Sequence, residues 1–240
     1  MLLNWHSAKN EVISMPNGFI LPDLKHPPVP LKTINYQNRL TVNASIYPWS
    51  SIGILRVCND SGCGYGTGFL FADDIFITAR HNFTTSVNFN SAAIWFGNEI
   101  SNSGSEPFAI YPPVFHQQLD LAVMLVQNCS LQPLSIFNGV LPKNVIVCGF
   151  GDYSISHSLS FSEGNILENG GGILKYSANT DHGDSGAPVF TKNPDNTYSV
   201  IAVHTNAGVG NWNEGILLSQ DVYVEIETLA SQLRVHYKEN

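Results

Sequence analysis

Short apolar runs separated by turn signals recur along the chain from residue 51 to residue 204. Little helical periodicity lies between them, and many short strands at this spacing are typical of an all-β sandwich or barrel. The pattern therefore predicts an all-β fold. The runs read SIGILRV, GFLFADDIFITA, AAIWFG, LAVMLV, NVIVCGF, ILKYSA, APVF and YSVIAVH.

The two ends of the chain depart from this pattern. Ile226, Leu229 and Leu233 recur at helical spacing within VYVEIETLASQLRVHY, and this spacing predicts one closing α-helix. Residues 1–38 are rich in proline and polar residues and show neither period. We interpret them as an extended arm or a prosegment.

Composition and charge narrow the class of function. Of the 240 residues, 43% are hydrophobic and 12% are charged, as expected of a folded globular protein. A net charge of -8 provides no electrostatic footprint for nucleic acid. No apolar run reaches the roughly 20 residues of a membrane-spanning helix, and the first ten residues lack the pattern of a secretion signal. We therefore expect no nucleic-acid or membrane partner, and the oligomeric state stays open.

Four cysteines leave two readings open. They stand at positions 58, 63, 129 and 148, without the paired spacing of a zinc site. Cys58 and Cys63 could bridge a short loop, and free thiols fit the sequence equally well. We expect neither a metal nor an organic cofactor, because no spaced ligand set is present and the chemistry below requires none.

The segment GDSGAP, residues 183–188, has the features of a nucleophile turn. A serine hydroxyl needs a base within hydrogen-bond reach and donors that hold the oxyanion formed after attack. Gly183 and Gly186 flank Ser185 with little bulk, so the N–H groups of Gly183 and Ser185 can point into one small oxyanion hole. A glycine-rich hairpin turn is the competing interpretation of this motif alone.

A base and an orienting carboxylate can be assigned upstream. His81 ends GTGFLFADDIFITARH, an apolar hairpin followed by a short turn, and Asp120 stands immediately before the run LAVMLV. Such a carboxylate would hold the imidazole tautomer and stabilise the imidazolium. The chain order His81, Asp120, Ser185 is that of the chymotrypsin arrangement, and differs from that of subtilisin and the α/β-hydrolases.

These three segments resemble the trypsin-like peptidases, and finer matches resemble the bacterial glutamyl endopeptidases over residues 38–235. The resemblance implies two six-stranded antiparallel β-barrels, over residues 39–135 and 136–240, with the helix at the end. It implies a serine endopeptidase that cleaves polypeptides after Glu or Asp and is secreted. The finer matches are NRLTVNASIYPWSSIGIL, YSANTDHGDSGAPVF and IAVHTNAGVGNWNEGI.

The resemblance also implies a specificity pocket. Thr180 and His204 occupy the places of the family's threonine or serine and its histidine, which recognise a substrate Glu. Thr205 would hydrogen-bond Asp120, while Asn206 and Ala207 would pair with the substrate backbone.

Several positions depart from the family pattern. Ala207 stands where glycine is common, and Glu214 stands near the pocket where a basic residue is familiar. Asn82 replaces a disulfide cysteine, and Arg80 replaces a small residue.

Asp184 suggests an activation step. In trypsin-like enzymes an aspartate at this place pairs with a new α-amino terminus. A cut near residues 32–34 would then complete the pocket, and the chain would be a zymogen.

Two other functions compete with this interpretation. A catalytically silent homologue could use the same surface to bind a partner. A processing protease could prefer Gln or a small neutral residue, since threonine and histidine also line the pocket of viral processing proteases of this fold.

Overall fold

The computed structural model describes residues 19–20, 39–84, 91–97, 106–151, 158–208 and 211–238. The arm expected over residues 1–38 lies outside these ranges, except for one two-residue strand, and it stays a prediction. No helix within the described ranges is long and apolar enough to cross a membrane.

Antiparallel strands make up most of the regular secondary structure in the described ranges, and every apolar run found in the sequence overlaps at least one of them. The all-β prediction is confirmed. In chain order the strands are β1 (Phe19–Ile20), β2 (Leu40–Thr41), β3 (Ile52–Asn59), β4 (Gly62–Ala72), β5 (Ile75–Thr78), β6 (Ser91–Phe96), β7 (Val114–His116), β8 (Ala122–Leu125), β9 (Asn144–Gly149), β10 (Ser160–Gly170), β11 (Ile173–Tyr176), β12 (Pro188–Lys192), β13 (Tyr198–Ala207) and β14 (Asn213–Leu217).

The predicted closing helix is also confirmed, as α2 (Gln220–Lys238). Its residues at helical spacing, Ile226, Leu229 and Leu233, are fully buried, which explains why their period was visible in the sequence. Arg234 on the same helix donates from Nη2 to Asp74 Oδ1 at 2.7 Å. Because Asp74 lies in the turn between β4 and β5, this pair ties the helix to the first sheet.

The second sheet closes on itself. Its strands run β11-β14-β13-β12-β9-β10-β2, and β11 also pairs with β10. Strands β9 to β14 therefore form a closed six-stranded barrel, with β2 added at β10. Its interior is a separate apolar cluster that contains Val147, Tyr176, Val189 and Ala202.

The first sheet runs β1-β7-β8-β5-β4-β3-β6. The segment around residue 108 links the end strand β6 to the residues after β8: Phe108 N–H donates to Ile94 O on β6 at 2.9 Å, and Gln127 N–H, just after β8, donates to Ala109 O at 2.8 Å. Alternation along β3 divides its side chains between two cores. Leu55 and Val57 enter the interior cluster of this sheet, while Ile52 and Ile54 join the cluster shared with the second sheet and α2.

Candidate active site

The structure brings His81, Asp120 and Ser185 into contact. His81 begins the single turn α1 (His81–Thr84) directly after β5, and Asp120 and Ser185 precede β8 and β12. His81 Nε2 lies 2.7 Å from Ser185 Oγ, and His81 Nδ1 lies 2.5 Å from Asp120 Oδ2. The His81 N–H also donates to Asp120 Oδ1 at 2.9 Å. The imidazole therefore bridges the hydroxyl and the carboxylate.

Neighbouring residues hold Asp120 in position and favour its ionised form. Burial alone would raise the pKa of Asp120, but the hydrogen bond and charge of His81, with the charge of Arg80, lower it below its usual value. Arg80 Nη1 also donates to His116 O at 2.8 Å and to Gln117 O at 3.3 Å. Arg80, which the sequence left unexplained, thus braces the segment leading into Asp120.

The turn that carries Ser185 requires glycine at two positions. Gly183 has φ +100 and Gly186 has φ +89, a region that L side chains rarely adopt. A Cβ at Gly186 would meet Thr67 O at 2.1 Å. Within the ranges that the structure describes, the N–H groups of Gly183 and Ser185 donate to no protein acceptor. Both predicted oxyanion donors are therefore available to a ligand.

Asn82 supports the nucleophile from the side of α1. Its Nδ2 donates to Ser185 O at 2.9 Å and to Thr78 Oγ1 at 2.8 Å. The same Ser185 carbonyl accepts from Thr67 N–H at 2.9 Å. Where the resembling family has a disulfide cysteine, this chain has a hydrogen-bonding amide that links the base segment to the serine.

The second barrel supplies a buried His204. Its Nδ1 lies 2.6 Å from the hydroxyl of Tyr176 on β11. Burial lowers the pKa of His204 to about 3, and the charges of His81 and Arg39 act in the same direction. His204 is therefore neutral at physiological pH. Thr180 is likewise buried, with 3% of its surface exposed.

Strand register decides which side chains share a face with His204. His204 pairs with Gly215 on β14, and Asn213 pairs with Tyr176 on β11. Directly paired residues point to the same face, so Asn213 shares the face of His204 and Tyr176. Glu214, between Asn213 and Gly215, points to the other face. The acidic neighbour that the sequence suggested for the pocket therefore points away from His204.

Asn213 has an unusual environment on that face. It is 1% exposed, and its Nδ2 donates to Ala178 O at 2.6 Å. Its Oδ1 is buried and has no hydrogen-bond partner among the residues that the structure describes. No feature of the sequence marks this residue, because its placement depends on the strand register.

The remaining predicted pocket residues lie at the end of β13. Thr205 Oγ1 donates to Glu214 O at 3.5 Å, and no bond to the expected partner Asp120 is present within the described residues. Strand β12 pairs with β13 only as far as Val203. Asn206 and Ala207 pair with β14 on one side, and no described strand pairs with their other edge.

The structure decides between the two interpretations of the cysteines. Cys58 and Cys63 form a disulfide between the ends of β3 and β4. Cys148 is a buried free thiol on β9, and Cys129 is a half-buried free thiol. The disulfide lies on the β3–β4 hairpin.

Comparison with known proteins agrees with this geometry. A family model, the trypsin-like peptidase domain, matches residues 66–202. The chain belongs to the trypsin-like peptidase family, and its fold is that of the chymotrypsin-like serine proteases. Its substrates are accordingly polypeptides. No curated protein matches the chain.

Solved structures share the fold at low sequence identity. A Glu endopeptidase has a TM-score of 0.65 at 17% identity, covering 83% of this chain and 100% of that one. The active form of the Rv3671c protease of M. tuberculosis has a TM-score of 0.62 at 17% identity, covering 88% and 93%. An inactivated protease paralogue of the scabies mite has a TM-score of 0.58 at 11% identity, covering 76% and 95%. At these identities the likeness, including that to the Glu endopeptidase, is one of structure alone.

Proposed function

We propose that this chain is a serine endopeptidase that works through an acyl-enzyme. Ser185 Oγ attacks the scissile carbonyl carbon while His81 Nε2 takes the hydroxyl proton, and the imidazolium then gives that proton to the departing amine. Water, deprotonated by His81, next attacks the acyl carbon and releases Ser185. Asp120 orients His81 and balances its charge through both steps.

The hydrogen-bonded relay carries this proposal. The distances of 2.7 Å and 2.5 Å are within reach for proton transfer without rearrangement. The N–H groups of Gly183 and Ser185, which donate to no acceptor within the described residues, supply the hydrogen bonds that stabilise the developing oxyanion. The fold alone does not distinguish an active protease from a silent homologue, since the scabies mite paralogue with this fold is an inactivated protease. An intact relay favours catalysis over a silent binding module.

For specificity we propose cleavage after Glu, recognised by Thr180 and His204. A buried substrate carboxylate needs donors, and a hydroxyl and an imidazole N–H can supply them. Glu214 does not oppose this, because it points to the other face of β14. The open edge of Asn206 and Ala207 is suited to pairing with the backbone of an extended substrate.

Cleavage after Gln is a second candidate that two observations favour. His204 is neutral, with its Nδ1 next to the Tyr176 hydroxyl, so it offers a hydrogen bond without charge. Within the described ranges Asn213 Oδ1 is a buried acceptor that receives no hydrogen bond, and such a group is costly to leave unpaired. The amide N–H of a glutamine side chain could satisfy it, whereas a carboxylate could not.

Digestion of a peptide library tests both statements. We expect cleavage that is lost in the Ser185→Ala variant and that concentrates after Glu or Gln. Matched peptides that differ only in Glu or Gln, compared by kcat/KM, then separate the two candidates. Cleavage after Lys or Arg would contradict both pocket assignments, and no cleavage by folded protein would favour a binding module.

A further inference from the structure

A buried carboxylate stands next to the nucleophile. Asp184 is 0% exposed, and it accepts hydrogen bonds from Gly151 N–H at 2.9 Å and from Asp181 N–H at 2.8 Å. Two donors from the peptide backbone do not neutralise an ionised carboxylate in a protein interior, so a cation is needed beside it.

Arg39 supplies that cation from a position 145 residues away in the chain. Its Nη1 donates to Asp184 Oδ2, and its Nη2 donates to Asp184 Oδ1 at 3.0 Å. Its Nε and Nη2 also donate to Ser160 Oγ and Ser160 O, each at 2.9 Å. The Arg39 side chain is 8% exposed. A forked guanidinium with its donors engaged in this way is the strongest form of carboxylate recognition.

The space around the carboxylate is filled. A Cβ placed on Gly149 would lie 2.4 Å from Asp184 Oδ1, and one placed on Gly151 would lie 2.6 Å from Asp184 Oδ2. An α-amino group liberated by a cut near residues 32–34 would therefore have to displace Arg39. This differs from the activation step that the sequence suggested.

The Asp184 side chain also shapes the oxyanion hole. Its Oδ2 accepts a hydrogen bond from Asp181 N–H, while the backbone N–H of Asp184 donates to Asp181 O at 3.0 Å. This closes a tight turn over residues 181–184 that presents the N–H of Gly183. Thr67 Oγ1 fixes the other side of the same residue by donating to Gly183 O at 2.7 Å.

We propose that Arg39 is the positioning residue of the nucleophile turn: by holding Asp184 it sets the oxyanion donors, and the site assembles in the intact chain without proteolytic activation. The proposal rests on the proposed function. It assigns to a residue directly before β2 the role that the family resemblance suggested for a new chain terminus.

Variants of the full-length chain test the role of Arg39. The readouts are kcat, KM, the rate at which a fluorophosphonate probe labels Ser185, and urea unfolding. In Arg39→Met we expect kcat and labelling to fall about 100-fold, the scale of losing one oxyanion donor, with KM little changed. Arg39→Lys keeps the positive charge but cannot donate two parallel hydrogen bonds to the carboxylate. We therefore expect its kcat and labelling rate to lie between those of wild type and Arg39→Met.

A double variant separates positioning from charge neutralisation. Arg39→Met leaves Asp184 as an uncompensated buried charge, so it should also lower stability. Arg39→Met with Asp184→Asn removes both charges, and we expect stability to recover while labelling stays about 100-fold slow. Recovery of labelling along with stability would overturn the proposal, because neutralisation alone would then suffice.

The pH profile of the intact chain is an independent test. A free α-amino group has a pKa near 8, and pairing with a carboxylate raises that pKa within the alkaline range, whereas a guanidinium keeps its charge throughout. Of the groups near this pair, Cys148 and Tyr176 have pKa values raised well above their usual range by burial, and His204 is neutral. We therefore expect labelling to stay level from about pH 8 to pH 10.

The outcomes distinguish the two proposals. If wild-type protein is labelled and Arg39→Met is labelled equally fast, the positioning role of Arg39 is wrong, while the proposed protease function is retained. Labelling that requires loss of residues before Asn38, or that falls off between about pH 8 and pH 10, would also overturn the positioning role of Arg39. If folded wild-type protein is never labelled at any pH or chain length, the proposed protease function itself fails.

Discussion

His204 should make the protein sensitive to acid. Its pKa is lowered to about 3 from 6.5 in the native state, so the unfolded chain binds a proton at a higher pH than the folded one. Stability from this group is complete above about pH 6.5 and is lost as the pH falls toward 3. Between pH 7 and pH 4, protonation of the unfolded state alone costs roughly 3 kcal/mol, from 1.36 kcal/mol per pH unit.

The perturbation is His204→Asn, made in a Ser185→Ala background that prevents autolysis. Asn cannot titrate, and its Oδ1 can accept from the Tyr176 hydroxyl in place of Nδ1. Urea unfolding at pH 7 and pH 4 gives the loss of stability for parent and variant. We expect the parent to lose about 3 kcal/mol more than the variant. Equal losses would refute a neutral, buried His204, whatever the absolute stabilities.

Three further predictions concern the triad, its support and the hairpin disulfide. Asp120→Asn should lower kcat by roughly 10³–10⁴ because an amide cannot hold the required tautomer; ester hydrolysis at near wild-type rate would contradict this. Asn82→Ala should lower kcat about tenfold at unchanged KM, since the Ser185 carbonyl loses a donor; an unchanged kcat would show that Thr67 suffices. Replacing Cys58 and Cys63 by serine should cost about 2 kcal/mol in urea unfolding from loop entropy and leave kcat unchanged; reduced activity would show that the hairpin reaches the site.

Most of the fold could be predicted from local pattern. The apolar runs are strands because their buried side chains enter one or two of the three apolar cores, and the helical period is visible in α2 because Leu229 and Leu233 are buried on one face. Barrel closure depends on the pairing of β10 with β11, and no single run contains that information. It came from family resemblance instead.

Site residues could be predicted from the sequence where the chemistry allows only one or a few residue types. Ser185 is marked by the glycines that its turn requires, and His81 and Asp120 by their positions beside strands. Arg39 and Asn82 were not found, because their roles are contacts with residues more than 100 positions away. The face of β14 to which Glu214 points could not be predicted from the sequence either, since it depends on the register of β14.

The cysteine pair marks the limit of spacing arguments. A separation of 5 residues fits a bridge or two free thiols equally, and only the antiparallel pairing of Cys58 with Cys63 brings the two sulfurs together. Arg80 is a similar case, because the carbonyl oxygens that it contacts belong to another strand and its loop.

Activation of Ser185 by His81 is the central claim, and covalent labelling tests it most directly. A fluorophosphonate should add one adduct per folded molecule, mapped by peptide mass to Ser185, and His81→Ala should slow the reaction by at least about 10³-fold. A folded wild-type protein that stays unlabelled, or one labelled equally fast without the imidazole, would contradict the account.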